Sequence, residues 1–354
     1  MKSLNSIIIA NVKLKNRICI APMCQYSAKN GNPSQWHYRH LSKLMEAGAG
    51  LLILESTAVS KKGMISKNDL SLINKKNYIE FKKLINYLRT ISDTKIGIQI
   101  SHSGRKGSSK IPWIKSNSPL NKKSGWKTVG PSKIKRDKKW PYPKEVNSKE
   151  INLIKKDFLN SANLAKKIGF DTLEIHMAHG YLLHQFFSPI SNLRNDEYGG
   201  NLKKRCKVLI DISREIRKIW PKNRILGARV NGMDWVKNGS SISDCIFLCK
   251  ELEKIGFNYV CITSGGIVPK TNIKFKKKGY QVFLAKKIKE SVKIKVKTTG
   301  KISGLTHAEK IIKTNQADLI SFGRKFINSP TWLIKEMISN KKQVKLSNQY
   351  KRCF

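Results

Sequence analysis

Acidic residues are scarce in this sequence, with 23 Asp and Glu against 70 Lys and Arg in 354 residues, which gives a formal net charge of +47. A nucleic-acid-binding face would concentrate basic residues on one element and interleave them with aromatic residues or Arg. Here Lys is spread over every region and greatly outnumbers Arg, beside abundant Asn and Ile. That mixture is more typical of a coding bias toward A/T-rich codons. We expect non-specific attraction to polyanions at low salt, but no specific nucleic-acid partner.

The sequence also lacks a long apolar run. Asn11, Lys13 and Lys15 interrupt the apolar segment 7–10 before it reaches the length of a signal-peptide core. No stretch approaches the roughly 18–20 apolar residues that span a bilayer. We therefore expect a cytoplasmic protein with no membrane partner.

Cysteine is present without a recognisable metal or disulfide pattern. The seven Cys are an odd number, they are spread over the whole chain, and no C-x-x-C occurs. Neither a disulfide framework nor a zinc or iron–sulfur site is indicated. Cys245 and Cys249 share one face of a predicted helix, where core packing explains them better than metal binding.

Short β-type runs alternate with longer helical patterns, which is typical of βαβ units around a parallel sheet. Most of the runs are apolar throughout, as strands buried on both faces are. The seventh run differs, because Lys293, Lys295 and Lys297 alternate with apolar residues. The predicted strands are 17–21, 51–56, 96–101, 172–176, 225–230, 259–263, 294–298 and 318–322. The predicted helices are 36–47, 75–91, 149–168, 201–219, 241–255, 279–290, 305–314 and 331–339.

Eight strands, each followed by a helix, predict an α/β fold of the closed (β/α)₈ TIM-barrel type, which runs from about 200 to more than 400 residues as one domain. An open doubly wound sheet is the alternative, but no G-x-G-x-x-G follows the first strand. We expect a single domain over 1–354, with a hairpin in 3–14 closing the bottom of the barrel. The long segment 103–147 after the third strand is predicted to be a lid insertion.

Four residues are predicted to mark helix ends. Gly169 and Gly256 stand where helix C-cap glycines are expected. Ser148 and Ser240 stand where N-cap residues are expected.

Residues with useful chemistry collect after the predicted strands. In a TIM barrel the active site lies at the C-terminal ends of the strands, so these residues are expected to share one rim. The set comprises Pro22, Met23, Cys24, Gln25, Tyr26, Glu55, Ser56, Thr57, Gln99, His102, Arg105, Lys106, 176–181, Arg229, Ser264, Gly265, Gly266, Gly300, Gly323 and Arg324.

The residues after strands seven and eight suggest a phosphate site. Gly300 and the pair Gly323-Arg324 occupy the place where many TIM barrels bind phosphate through loop N–H groups. Arg324 can add forked cationic donors. Turn glycines beside a surface arginine are the alternative, but the position in the fold favours phosphate binding.

His176, His179 and Tyr181 follow the fourth predicted strand. A three-residue gap on a β-type run differs from the helical H-E-x-x-H spacing, and no Glu accompanies it, so no metal is expected. Two imidazoles can instead donate hydrogen bonds to one carbonyl oxygen and stabilise negative charge in the transition state. The Tyr181 hydroxyl could donate a proton beside them. Two structural histidines and a core tyrosine are the alternatives.

Together these motifs resemble the old yellow enzyme family, in its shorter-chain branch of bacterial ene-reductases and xenobiotic reductases. The resemblance covers essentially the whole chain. It is carried by the segments 21–26 (APMCQY), 99–106 (QISHSGRK), 174–181 (EIHMAHGY), 188–189 (SP), 192–201 (NLRNDEYGGN), 323–324 (GR) and 349–352 (QYKR).

The resemblance implies FMN, bound without covalent attachment. A fixed positive charge at Arg229 would favour the reduced flavin, which is anionic near N1. Cys24 would lie close to the flavin and tune its redox behaviour, with a packed core cysteine as the alternative. The implied contacts to the isoalloxazine and ribityl groups are Pro22, Met23, Ser56, Gln99 and Arg229, and those around the phosphate are Ser264, Gly265, Gly300, Gly323 and Arg324.

The resemblance also implies a ping-pong reaction. NADPH or NADH reduces FMN and leaves, and an α,β-unsaturated carbonyl compound or related activated alkene then binds. His176 and His179 would hold its oxygen, hydride would pass to its β-carbon, and Tyr181 would protonate its α-carbon. Tyr26 and Lys106 would belong to the substrate site.

In this branch a C-terminal arginine enters the active site of the neighbouring subunit. Arg352, in a C-terminal arm over 340–354, therefore predicts a homodimer or homotetramer. Phe354 replaces the usual Trp, and Thr299 stands where xenobiotic reductases can carry a Trp. These departures leave the preferred substrate open, and the choice between NADPH and NADH is open as well.

Two other functions are alternatives. Reductases of the 2,4-dienoyl-CoA or trimethylamine type carry further domains and an iron–sulfur cysteine cluster, which we do not expect in a chain that ends at Phe354. A non-catalytic polyanion-binding barrel would be colourless and would bind DNA in a strongly salt-dependent way.

Overall fold

The computed structural model describes residues 1–115, 118–271, 277–344 and 346–353. Its strands are β1 Ile7–Ile9, β2 Val12–Leu14, β3 Ile18–Ile20, β4 Leu51–Ala58, β5 Lys95–Ser101, β6 Val129–Gly130, β7 Lys144–Glu145, β8 Thr172–Met177, β9 Ile225–Asn231, β10 Tyr259–Thr263, β11 Lys295–Thr298 and β12 Leu319–Phe322. Its α-helices are α1 Gln35–Met45, α2 Lys75–Ile91, α3 Pro112–Lys115, α4 Ser148–Ile168, α5 Leu182–Phe187, α6 Leu202–Ile219, α7 Ile242–Ile255, α8 Val282–Lys289, α9 Leu305–Lys313, α10 Arg324–Asn328 and α11 Trp332–Ser339.

Within these ranges, eight parallel strands close into a barrel in the order β10-β11-β12-β3-β4-β5-β8-β9. The predicted (β/α)₈ fold is confirmed, and every predicted strand and helix is present with bounds that differ by at most three residues. Strand β11 pairs with β10 and β12 despite its lysines. Lys297 in this strand has a structural reason, because its side chain is fully buried inside the barrel and pairs there with Glu174.

The predicted C-caps are confirmed, whereas both predicted N-caps are wrong by one residue. Gly169 and Gly256 end their helices with φ of 97° and 93°. Asn147, rather than Ser148, caps α4, because its side chain accepts from the N–H of Glu150 (2.9 Å). Ser241, rather than Ser240, caps α7 in the same way.

The N-terminal hairpin closes the lower end of the barrel, as predicted. Strands β1 and β2 are antiparallel. Ile9 and Leu14 of this hairpin are buried in one apolar cluster with Leu51, Ile225 and Leu319 from the barrel strands. Burial of these side chains seals the barrel against water at the end opposite the rim residues.

The insertion 103–147 contains the short elements α3, β6 and β7 and lies against the loops of the rim. The Arg194 guanidinium donates to the carbonyls of Pro131 (3.0 Å) and Val146 (2.6 Å). Arg105 of the insertion donates to the carbonyl of Ile134 within it (3.3 Å) and to that of Ile267 outside it (2.8 Å). The insertion is thereby attached to the segments that follow β8 and β10.

No helix in the described part of the chain is long and apolar enough to cross a membrane.

Candidate active site

The order of the strands brings the predicted site residues together on one rim. Strands β10, β11 and β12 are neighbours, and Gly265, Gly300 and Gly323 follow them in turn. Strands β3, β4 and β5 follow in the barrel and carry the segments of Pro22, Ser56 and Gln99, while β8 and β9 bring His176 beside Arg229 in register. Because all eight strands are parallel, their C-terminal ends meet at a single face.

His176 and His179 face each other at this rim. Their rings are nearly perpendicular, with centroids 5.1 Å apart. Nε2 of His176 and Nδ1 of His179 lie 3.3 Å apart, within hydrogen-bond distance of each other, and one oxygen atom placed beside them can lie within hydrogen-bond distance of both. His179 reaches this position from a left-handed backbone conformation, with φ of 57°. We call this histidine pair the clamp, because its geometry would allow it to hold a single acceptor oxygen.

The hydrogen-bond partners indicate which nitrogen of each ring can donate. The N–H of Ala178 donates to Nδ1 of His176 (3.3 Å), so a neutral His176 carries its proton on Nε2, facing the clamp. For His179 to donate from Nδ1, its Nε2 must accept. The hydroxyl of Thr263 lies 2.9 Å from that Nε2 and can donate to it.

Thr263 is a candidate site residue that the sequence pattern did not indicate. Its hydroxyl can alternatively donate to Oε1 of Gln281 (3.2 Å), which also accepts from Ser264 (2.7 Å). A rotation of one hydroxyl can thus select the tautomer of His179. A threonine at the end of an apolar strand carries no signal for this role in the sequence.

The clamp is neutral. Burial lowers the pKa of both histidines well below the ordinary value, and the nearby positive charge of Arg229 lowers each of them further. Both rings are therefore neutral at neutral pH, and each carries one N–H that can donate a hydrogen bond.

Tyr181 packs edge-on against His176, with ring centroids 4.9 Å apart. Burial raises the pKa of its hydroxyl well above the ordinary value, and the neighbouring Cys24 and Tyr26 add to the rise. The phenol therefore keeps its proton at neutral pH, as a proton donor must. The Lys106 ammonium lies 5.1 Å from the centre of the Tyr181 ring.

Lys106 connects two rim loops. Its ammonium donates to the carbonyls of His179 (2.7 Å) and Gly266 (3.3 Å). Burial, together with Arg136 and Arg105, lowers its pKa to about 7. Lys106 thus lies beside the clamp, and its role in the substrate site stays a prediction.

A buried pair behind the clamp holds the 178–181 loop in place. His184 accepts from the N–H of Gly180 (2.7 Å), and its other ring nitrogen lies 2.9 Å from a carboxylate oxygen of Asp234. Both side chains are fully buried. Sequence reasoning assigned no role to either residue, because the two are fifty positions apart in the chain.

Gly180 permits a close approach that no other residue allows. It has φ of 72°, and a Cβ there would lie 2.2 Å from the Gly266 carbonyl oxygen. We expect Gly180→Ala to lower the free energy of unfolding by more than about 1 kcal/mol and to weaken ligand binding at the clamp, because the loop must move. Thermal unfolding and ligand titration measure both effects.

Gly200→Ala is the matched control, since Gly200 has φ of 84° but nothing within 4 Å of the position that a Cβ would take. It carries the same backbone strain without the collision. Equal losses in the two variants would show that the contact with Gly266 does not hold the loop.

Cys24 and Tyr26 follow β3 and lie near Tyr181 on the rim. Burial raises the pKa of the Cys24 thiol well above the ordinary value, and the carboxylates of Glu55 and Asp69 raise it further. Cys24 is thus a neutral thiol, not a reactive thiolate. Tyr26 adopts φ of 49° and packs edge-on against Trp113 of the insertion, with ring centroids 5.9 Å apart.

The residues present fit FMN. A Cβ at Gly300 would lie 2.3 Å from Nε2 of Gln281, so a larger residue at this position would collide with Gln281. Arg229 and Arg324 both lower the pKa of Tyr280 against the rise caused by burial, which places both guanidinium groups near one tyrosine. Within the described residues the buried Nε of Arg229 donates to no acceptor. Two cations near one loop suit a ligand with a phosphate at one end and an anionic ring at the other.

The structure does not bring Arg352 to this rim within one chain. Arg352 is exposed, and Tyr350 of the same turn lines a cleft with Lys15 and Asp93, which precede β3 and β5 at the opposite end of the barrel. Lys345 and Phe354 of the predicted arm lie outside the described residues.

Within the described ranges, no group of three or more His, Cys, Asp or Glu side chains is placed to hold a metal ion.

Comparison with known proteins gives a consistent result. The NADH:flavin oxidoreductase / NADH oxidase family matches residues 5–342. An NADPH dehydrogenase of Clostridium acetobutylicum is 34% identical over 362 residues, which is 100% of both chains. An NADH:flavin oxidoreductase of Gibberella zeae is 38% identical over 93% of this chain and 83% of its own.

Solved structures share the fold at lower identity. Morphinone reductase in complex with tetrahydroNAD superposes with a TM-score of 0.79 at 20% identity, over 98% of this chain and 92% of its own. A 2-naphthoyl-CoA reductase superposes with a TM-score of 0.85 at 23% identity over 96% of this chain. The matched region is 52% of that larger protein.

The barrel, the rim that suits a flavin and these matches lead to one conclusion: the chain belongs to the old yellow enzyme family and is an FMN-dependent NAD(P)H oxidoreductase.

Proposed function

We propose that this enzyme reduces the C=C bond of activated alkenes, in particular α,β-unsaturated carbonyl compounds. The observation that carries the proposal is the arrangement of His176, His179 and Tyr181, which offers two donors for one oxygen and one proton donor beside them. An NAD(P)H:flavin oxidoreductase that only passed electrons to oxygen would need neither feature.

The clamp polarises the alkene. Two neutral donors on the carbonyl oxygen stabilise the enolate charge that develops as the β-carbon is reduced. Neutral imidazoles suit this task, because a charged histidine would protonate the oxygen and cost desolvation in a buried site.

Tyr181 completes the reaction at the neighbouring carbon. Its hydroxyl holds a proton over the relevant pH range and can deliver it to the α-carbon. When bound, FMN accepts a hydride from NADPH or NADH and passes it on to the substrate. Pro22, Met23, Ser56, Gln99 and Arg229 are proposed to hold its ring and ribityl chain, and Ser264, Gly265, Gly300, Gly323 and Arg324 its phosphate.

The test separates alkene reduction from simple flavin oxidation. The purified protein should be yellow, bleach with NADPH under argon, and regain its colour when cyclohexenone is added, with cyclohexanone as the product. Cyclohexanone itself should not restore the colour. Reoxidation by air but not by any enone, maleimide or nitroalkene would overturn the proposal while leaving the oxidoreductase activity intact.

We also propose that the protein is a homodimer or homotetramer, with Arg352 reaching the substrate site of a neighbouring subunit. This is supported by the exposure of Arg352 and by the position of its turn at the far end of its own barrel.

A further inference from the structure

A charged network fills the barrel interior beneath the rim. The Lys297 ammonium donates to Oε2 of Glu174 (2.7 Å), and the Tyr259 hydroxyl donates to the same oxygen (2.7 Å). Nε2 of Gln99 donates to the other carboxylate oxygen (2.7 Å). Lys297 and Glu174 are both fully buried. The carboxylate therefore has a donor on each of its oxygens.

Such a pair is not explained by stability alone. Removing two charges from water costs several kcal/mol per ion, and replacing a buried ion pair by apolar residues of similar volume is often neutral or stabilising. The other side chains of the barrel interior, such as Cys19, Cys261 and Leu319, show that apolar packing is possible at this level. The pair therefore calls for a role besides packing.

Glu174 lies between two cations and beside two proposed flavin contacts. It accepts from Gln99, and it pairs across the strands with Gly227, two residues before Arg229 on β9. Lys297 and, less strongly, Arg229 hold the pKa of the Glu174 carboxyl below the ordinary value against the effect of burial. The buried Nε of Arg229 nevertheless donates a hydrogen bond to none of the described residues. Lys297 donates to Oε2 of Glu174 and neutralises the carboxylate, and among the described residues Glu174 forms its ion pair with Lys297 and not with Arg229.

We propose that Lys297 is a positioning residue that neutralises Glu174 and so keeps the charge of Arg229 available to the reduced, anionic flavin. Without Lys297, the Glu174 carboxylate would attract Arg229 and cancel its charge at the flavin. Lys297 thereby raises the reduction potential of the bound FMN without touching it. The inference rests on the proposed placement of the flavin against Gln99 and Arg229.

The test is the midpoint potential of bound FMN, measured against a reference dye. Lys297→Met should shift the reduction equilibrium about tenfold toward oxidised FMN, a fall of about 30 mV for a two-electron couple. Lys297→Gln removes the charge but keeps a hydrogen-bond donor, so it should disturb folding less than Lys297→Met. It should lower the midpoint potential by the same amount. The double variant Glu174→Gln/Lys297→Met should return to within about twofold of the unmodified protein.

Lys289→Met is the matched control. Lys289 lies on α8, outside the barrel interior, and forms a largely buried ion pair with Asp318 (2.7 Å). Loss of the Lys289 charge should leave the midpoint potential of FMN unchanged. An unchanged potential in both single variants at Lys297, or a double variant as low as the singles, overturns the inference. A protein that cannot bind FMN would instead contradict the proposed cofactor site.

Discussion

Replacing Tyr181 by phenylalanine is expected to slow reoxidation of the reduced enzyme by an enone by about 10²–10⁴-fold, the usual contribution of a positioned proton donor. The phenol is the protonated group that packs against the clamp, and Phe keeps the edge-on contact with His176 while removing only the hydroxyl. Reduction by NADPH should be nearly unaffected, because that step takes no proton from Tyr181. Stopped-flow absorbance of the flavin measures both half-reactions separately.

Tyr87→Phe is the control, since Tyr87 is exposed on the surface of α2. An equal loss in both half-reactions of Tyr181→Phe would contradict the role as proton donor and would point to a general disturbance of the site. Burial raises the pKa of Tyr181, so the phenol stays protonated as the pH rises toward about 9. The rate of the oxidative half-reaction should therefore not fall over this range through ionisation of Tyr181.

The double variant His176→Ala/His179→Ala is expected to lose the charge-transfer absorbance that phenols give with the oxidised flavin. It should also lose about 10²–10³-fold in enone reduction for each donor removed. Both effects follow from the 3.3 Å separation of the two facing nitrogens, which lets them share one oxygen. Titration with a phenol, followed in the visible spectrum, measures binding. Phenol binding that persists at unchanged affinity would show that the pair does not hold the ligand oxygen.

Thr263→Val refines this result without removing either imidazole. It deletes the hydroxyl 2.9 Å from Nε2 of His179, so the tautomer that donates from Nδ1 loses its support. We expect weaker phenol binding than in the unmodified protein but stronger binding than in the double variant. His40→Ala, a histidine of α1, is the control and should bind phenol normally. Unchanged binding in Thr263→Val would mean that the tautomer of His179 is set elsewhere.

Much of the architecture followed from local patterns. Apolar runs of strand length, separated by segments of helical periodicity, predicted most of the barrel strands, because a strand buried on both faces is usually apolar. The seventh strand was predicted despite its alternating lysines. The caps at Gly169 and Gly256 followed from the conformational freedom of glycine. The N-caps were displaced by one residue, because adjacent Asn147-Ser148 and Ser240-Ser241 offer two capping side chains each and only the backbone path decides between them.

Placement on the rim was also predictable from the sequence. Residues that follow parallel strands of a closed barrel must share its C-terminal face, so His176, Arg229 and Gly323 could be grouped without coordinates. Their chemical identities then pointed to a clamp, a flavin partner and a phosphate loop. The sequence by itself thus determined the fold and the rim, because both depend on order along the chain and on the period of each segment.

The tertiary structure decided which polar groups contact each other. Lys297 and Glu174 are 123 positions apart, and Thr263 and His179 are 84 apart. Their contacts depend on the height at which neighbouring strands align, as in the register that places Gln99 opposite Glu174. Periodicity tells which side of a strand faces the interior, but it does not fix the relative height of two strands, because barrel closure and packing set that height collectively. The lysines of β11 therefore looked out of place in the sequence, and only the closed barrel gave Lys297 its partner.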